Sequence, residues 1–311
     1  MTDRILDFSQ EPSRLSIRNG LLVVTQGTEE VEAIPCGEIA CVLVSHPAVV
    51  FTQAVLSHLT EAGAAFVICD SSQRPAGMLL PLQSHHVQAA RFARQTALTK
   101  PRRKRMWQQL VRAKIEAQAR VLEEKFGSDA GLRALKKRVA SGDTTNVEAR
   151  AARRYWQLLF DEFGFKRRND EDQRNHWLNY GYAVLRAMTA RAICACGLHP
   201  TFGIAHRNKA NSFALADDLM EPFRPLVDRF VAASDMTPLT GEAKKNLIAA
   251  VSGRVLVGSE NRTMFDVLTK LAQSVVAVIM GEATELWLPP WSPLPRSGRG
   301  NRQMIQPKAR A

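Results

Sequence analysis

No apolar run in the 311-residue sequence reaches 18 residues, so a membrane-spanning helix is not expected. The opening Met1-Thr2-Asp3-Arg4 lacks a basic stretch leading into an apolar one, which argues against a secretory signal. Cysteine is scarce and odd in number. Cys36, Cys41, Cys69, Cys194 and Cys196 all sit in apolar stretches, as reduced core thiols of a cytoplasmic protein would. Cys194-Ala195-Cys196 has neither redox nor metal-site spacing. Phosphate-loop, His-Glu-x-x-His and Gly-x-Ser-x-Gly motifs are missing, so nucleotide hydrolase, zinc protease and α/β-hydrolase readings have no motif behind them. No internal repeat is visible.

What is present is ordinary for a folded protein: 45% apolar and 23% charged residues exclude wholesale disorder. The length suits two domains. The net charge of +12 is unevenly placed. Residues 1–84 carry −5, residues 85–140 carry +11, residues 141–290 carry +1, and residues 291–311 carry +5 with no acid among them. A concentrated basic block attracts polyanions, and nucleic acid is the expected partner. Arg102, Arg103, Lys104 and Arg105 are its densest part. A solvated basic helix face is the plainer alternative.

Residues 1–84 read as β-rich. Leu15 and Ile17, then Asn19-Gly20, then Leu21 and Val23 form a hairpin pattern. Short β-like runs follow at 31–34, 39–44, 65–69 and 78–82, with one helix over 50–59. From about residue 87 the period becomes 3.6. Trp107, Leu110, Val111, Ile115, Leu122 and Phe126 make one stripe closed by Gly127. Further stripes run through 177–192, 241–251 and 263–280. The expected class is α+β. A small β-sandwich-like domain (1–84) is followed by a linker (85–92), a larger all-α lobe (93–290) and a disordered basic tail (291–311).

Three positions break the apolar pattern. Stepping back along Ala152, Tyr155, Trp156, Leu159, Phe160 and Phe163 puts Glu148 on a buried stripe, where a carboxylate needs a proton, a partner or a cation. Thr145-Asn146-Val147-Glu148 equally fits a capping box, in which Glu148 turns back to the Thr145 N–H. Asp217, Asp218 and Glu221 crowd one helical turn just before Pro222, on a helix that Ser212 would cap. They are either a cation-binding cluster or a solvated acidic face paired with Arg224. His206 sits in a polar loop just upstream. Carboxylates with one imidazole suit Mg²⁺ or Mn²⁺ better than structural Zn²⁺.

Four segments occur in a telling order: Asn146-Val147-Glu148-Ala149-Arg150-Ala151-Ala152-Arg153-Arg154-Tyr155-Trp156, Leu178-Asn179-Tyr180-Gly181-Tyr182-Ala183, His206-Arg207-Asn208 and Leu215-Ala216-Asp217-Asp218-Leu219-Met220-Glu221-Pro222-Phe223-Arg224-Pro225. They resemble the CRISPR-associated protein one family, the integrase of CRISPR adaptation, in the wording of members from Cas9-containing (type II) systems. The resemblance implies a prokaryotic, cytoplasmic, metal-dependent DNA endonuclease and integrase that inserts short foreign DNA fragments into a CRISPR array. It implies Glu148, His206 and Glu221 as catalytic metal ligands, with Asp218 as a secondary candidate. It implies a homodimer that assembles with a dimer of CRISPR-associated protein two, and the type II wording adds Cas9 as a possible further partner. Arg150, Arg153, Arg154, Arg207 and Lys209 adjoin the ligands in sequence and are candidate phosphate contacts. The alternative is a non-catalytic nucleic-acid-binding protein or an assembly protein, in which Glu148 is only a cap.

Overall fold

The computed structural model describes residues 3–70, 75–81, 85–160, 165–167, 172–206, 208, 210–234 and 240–290. The chain opens with β1 (Arg4–Phe8) and the hairpin β2 (Arg14–Arg18) and β3 (Leu21–Gln26). Asn19 at φ 51° and Gly20 at φ 75° form the turn, the two left-handed positions that a tight hairpin requires. Next come β4 (Glu29–Pro35), β5 (Ile39–Val44), the short β6 (Val50–Phe51), α1 (Gln53–Glu61), β7 (Ala65–Cys69) and β8 (Pro75–Leu79). These make two four-stranded sheets, ordered β1-β5-β7-β8 and β4-β3-β2-β6. Leu15, Leu22 and Ile34 of the second sheet share a core with Val42 and Phe66 of the first and with Val55 and Leu59 of α1.

The other face of the first sheet packs on the helices. Ala40, Leu43, Ala65 and Val67 lie in the same core as Leu185 and Met188. The pleat explains this: alternate residues of β5 and β7 point to opposite sides, and both sides are covered. The strand-rich and helix-rich parts therefore share a core. α2 (Gln88–Thr96) occupies most of the segment expected to be a linker. Its Arg91 donates to the Cys196 carbonyl at 2.7 Å, and Gln95 to that of His199 at 2.8 Å.

The helical part continues with α3 (Lys100–Phe126), α4 (Leu132–Lys137), α5 (Val147–Leu159), α6 (Gln173–Ala195), α7 (Ala214–Met220), α8 (Arg224–Ala233) and α9 (Gly241–Ser252). α3 ends at Gly127, whose φ of 74° closes it as the sequence suggests. α6 is buried nearly all round and forms the axis on which α7, α8 and α9 pack. The lobe is not all-α. β9 (Arg254–Val257) and β10 (Glu260–Thr263) form an antiparallel hairpin before α10 (Met264–Met280). Four-residue strands between two helices are too short to show a period of two, so the sequence hid them. Among the described residues, no helix is long and apolar enough to cross a membrane. The cysteines are free, and all but Cys69 are buried. The segment 291–311 lies outside the described residues.

Candidate metal centre

Glu148 is the second residue of α5. The capping-box alternative does not form. Asp143 accepts from the backbone N–H of Val147 at 2.9 Å and of Glu148 at 3.0 Å, so two orphan donors of this helix start are met without Glu148. The Glu148 side chain is free to leave its helix. It also sits one position off the stripe expected of it: Val147, Ala151, Tyr155 and Leu159 are buried, and Glu148 lies beside them with its side chain 23% exposed. The neighbouring aromatics Tyr155 and Trp156 leave the sequence pattern ambiguous by one helical position.

From α3, Lys114 places its Nζ 2.6 Å from Glu148 Oε1 and 2.6 Å from Glu221 Oε2. One ammonium thus bridges two carboxylates that lie far apart in sequence. Lys114 interrupts the apolar stripe of α3 between Val111 and Ile115, and that break is its one signal in the sequence. Ser212 does not cap α7, which has no side-chain cap; in its first turn the Leu215 N–H donates instead to the Pro200 carbonyl at 2.7 Å. α7 tightens into a 3₁₀ turn over Glu221–Phe223, with Pro222 inside it, before α8 begins. The acidic cluster is not a solvated face: Asp217, Asp218 and Glu221 are 6%, 0% and 5% exposed. Burial would raise the Glu221 carboxyl, but the charges of Lys114 and Arg224 outweigh it and hold it at about 2. Burial likewise disfavours the charged Lys114, yet Glu221 and Glu148 together push it above its ordinary value. Glu221 Oε2 has the Lys114 ammonium as its close partner among the described residues, so one of its two buried lone pairs is left over.

Asp218 faces the other way. Its Oδ2 accepts from the backbone N–H of Ile204 at 2.5 Å and of Ala205 at 2.9 Å, and its Oδ1 lies 2.5 Å from His206 Nδ1. The loop comes this close because residue 203 is glycine: a Cβ there would lie 2.6 Å from the His206 carbonyl oxygen. The hydrogen bond to Asp218 raises the His206 pKa despite partial burial. It also turns Nδ1 inward and leaves Nε2 as the nitrogen available to a ligand. The Trp107 ring stands edge-on to the imidazole at 5.8 Å.

The structure thus joins Glu148 to Glu221 through Lys114, and His206 to Asp218. Among the described residues, no group of three His, Cys, Asp or Glu side chains is arranged as a ready metal site. Of the basic candidates, Arg102 and Arg105 are exposed at the start of α3, with Arg103 and Lys104 half-buried. Arg103 lines a cavity of about 270 Å³ together with His206, Thr201 and Asn208. Arg150, Arg153 and Arg154 are exposed along α5. Arg207 and Lys209 lie outside the described residues.

A family model described as CRISPR associated protein Cas1 matches residues 8–234, and the chain belongs to that family. The CRISPR-associated endonuclease Cas1 of Neisseria meningitidis serogroup C (strain 8013) is 36% identical over 294 residues, covering 92% of this chain and 95% of that protein. Among solved structures, a casposase bound to integration product has a TM-score of 0.76 at 17% identity, covering 90% of this chain and 91% of the other. A chain of a Cas6-RT-Cas1–Cas2 complex has a TM-score of 0.75 at 20% identity, covering 92% of this chain and 36% of its own. At these identities the two structures speak to the fold.

Proposed function

We propose that this protein is a metal-dependent DNA endonuclease and strand-transfer integrase that inserts short foreign DNA fragments into a CRISPR array. Family membership supports the class, and the 36% identical relative is itself named an endonuclease. The observation that carries the metal dependence is the Lys114 ammonium held between Glu148 and Glu221. It marks a point where two hard oxygen donors already converge on positive charge, and Glu221 Oε2 keeps a lone pair to spare. Carboxylates and one imidazole fit Mg²⁺ or Mn²⁺. Glu148, Glu221 and His206 through Nε2 would hold the ion, with Lys114 withdrawn. Asp218, the secondary ligand candidate, acts instead by fixing the loop and the ring of His206.

When bound, the ion lowers the pKa of the attacking hydroxyl and offsets charge on the phosphate oxygens. The residues then have simple tasks. Glu148 and Glu221 approach from different elements, so the centre forms only when α3, α5 and the α7–α8 turn are packed together. Arg224, which pairs with Glu221 at 2.9 Å, and the released Lys114 stand beside the reacting phosphate. A DNA 3′-oxygen forms a new bond to phosphorus while the repeat strand's own P–O3′ bond breaks. The incoming hydroxyl gives its proton to solvent, and the leaving 3′-oxygen takes one up. No side chain needs to become covalently attached.

The partners follow the same reading. Double-stranded DNA meets the basic start of α3, and the small partner protein follows from the complex whose chain shares this fold. A homodimer would cover the β4 edge, where Val31 is 57% exposed. Light scattering at micromolar concentration should give twice the chain mass, and a monomer would contradict the dimer. The function itself is tested by an integration assay on supercoiled DNA carrying a repeat. Joined products should need Mn²⁺ or Mg²⁺ and vanish in EDTA; products that persist in EDTA would overturn the reading.

A further inference from the structure

A second cavity, of about 250 Å³, is lined by Glu221 itself and by Lys114, Arg167, Tyr182, Arg224 and Asp228. Its cations are arranged unusually. The guanidinium of Arg224 lies 4.6 Å from the centroid of the Tyr182 ring, and that of Arg167 lies 5.0 Å from the same centroid. Arg224 has Glu221 as its carboxylate. Among the described residues, Arg167 has none within ion-pair distance. Its Nη1 donates to Asn175 Oδ1 at 3.1 Å and its Nη2 to Asn179 Oδ1 at 2.9 Å. Both acceptors are neutral amides on α6, so the guanidinium is held in place with no carboxylate of the described residues paired to it.

The remaining acid does little to offset that charge. Asp228 is 1% exposed and accepts from Tyr155 at 3.1 Å and from Tyr182, which use both its oxygens. Burial raises its carboxyl to about 7 despite those hydrogen bonds. Binding of a divalent ion by Glu148 and Glu221 would further release Lys114, which lines this cavity too. Three cations would then face one small opening beside the reacting centre.

We propose that this cavity seats one backbone phosphate of the DNA strand held at the Glu148–Glu221 centre, with Arg167 as its principal contact. The inference rests on the integrase reading, and it assigns Arg167 a role in positioning the strand. Two guanidiniums sharing one aromatic ring are each stabilised by it, and an anion between them removes their mutual repulsion. A phosphodiester is the anion this neighbourhood must accommodate, and the cavity is too small for a duplex.

The test pairs a protein change with a DNA change. Arg167→Gln removes the charge; in the DNA, single phosphates along a single-stranded 3′ end are replaced by neutral methylphosphonates. Binding is read by fluorescence anisotropy in EDTA, so turnover plays no part. For the unaltered protein, one position near the 3′ end should weaken binding about fivefold when neutralised, and R167Q should weaken unmodified DNA by a similar factor. At that one position the two changes should not compound, and the R167Q salt slope should fall by about 0.7, the single-strand value for one phosphate contact. Losses that multiply at every position, or R167Q binding at full affinity, would overturn the proposal. If R167Q melts below the parent, Arg167→Met, which refills the space over Tyr182, carries the same comparison. Cleavage of the same DNA by the unaltered protein in Mn²⁺ separates the two readings. No metal-dependent cleavage defeats the integrase reading, whereas cleavage with compounding losses defeats only the Arg167 contact.

Discussion

Replacing Lys114 by methionine keeps the stem that packs on α3 and removes the ammonium from between Glu148 and Glu221. The size of the effect can be worked from Glu221. A buried carboxyl held at about 2 rather than the ordinary 4.5 contributes roughly 3 kcal/mol to stability at neutral pH. Breaking one partner out of a buried ion pair gives a comparable figure, about 3–5 kcal/mol. For 311 residues the unfolding entropy is roughly 0.65 kcal/mol per kelvin, so 3 kcal/mol corresponds to a fall of about 5 °C in melting temperature. The sign with pH follows. Because the folded value is depressed, the contribution is present above about pH 4.5 and is lost as pH falls towards 2. The parent and K114M melting temperatures should therefore converge in acid. Manganese should reverse the loss. At one hundred times its dissociation constant a ligand adds about 2.7 kcal/mol, and in K114M it has no ammonium to displace. Scanning calorimetry in EDTA and then in Mn²⁺ reads both effects. K114M melting with the parent in EDTA, or a smaller gain from Mn²⁺ than the parent shows, would refute the idea that Lys114 stands where the ion belongs.

Two further outcomes can be measured on the same preparations. Neutralising Arg102, Arg103, Lys104 and Arg105 together should weaken duplex binding and lower the log–log salt slope by about 0.9 for each lost phosphate contact; an unchanged slope, or an equal loss from deleting residues 291–311 alone, would contradict it. Asp218→Asn should leave the His206 loop bonded through the amide oxygen yet withdraw the charge that raises the imidazole pKa. Cleavage needs the neutral ring, so it should rise with pH through an inflection above 6.5 in the parent and at lower pH in D218N; identical pH profiles would show that Asp218 does not act through His206.

Much of the frame was legible because local chemistry alone decides it. Asn19-Gly20 permits little but a tight hairpin, and Gly127 ends α3 where the stripe stops. The long stripes of α3 and α10 are each repeated often enough to fix both type and face, whereas that of α6 fixes the type alone, because the helix is buried nearly all round. β1 was missed. It pairs in parallel with β5, more than thirty residues away, and nothing local to Arg4–Phe8 signals that partner. The site divides in the same way. Glu148, His206 and Glu221 stand out through their surroundings in sequence. The capping carboxylate proved to be Asp143, because Asn146 at φ 52° turns the chain so that the earlier acid reaches the helix start. Lys114 and Arg167 were not singled out. A lysine on a stripe reads as one that reaches past the core to water, and an arginine gripped by two asparagine amides has no periodicity at all.

Glu148 is proposed as a metal ligand and not as part of the scaffold. Among the described residues its only close polar partner through the side chain is Lys114, and the helix start is capped without it. Glu148→Ala should thus cost only about 1 kcal/mol, or 1–2 °C in melting temperature, because the lost pair is partly exposed and Glu221 still holds Lys114. Thermal melting and Mn²⁺-dependent cleavage are measured on one preparation. Nearly unchanged melting with cleavage and strand transfer abolished is the outcome the account predicts. Clearly lowered melting with cleavage at the parent rate would contradict it and make Glu148 a structural residue.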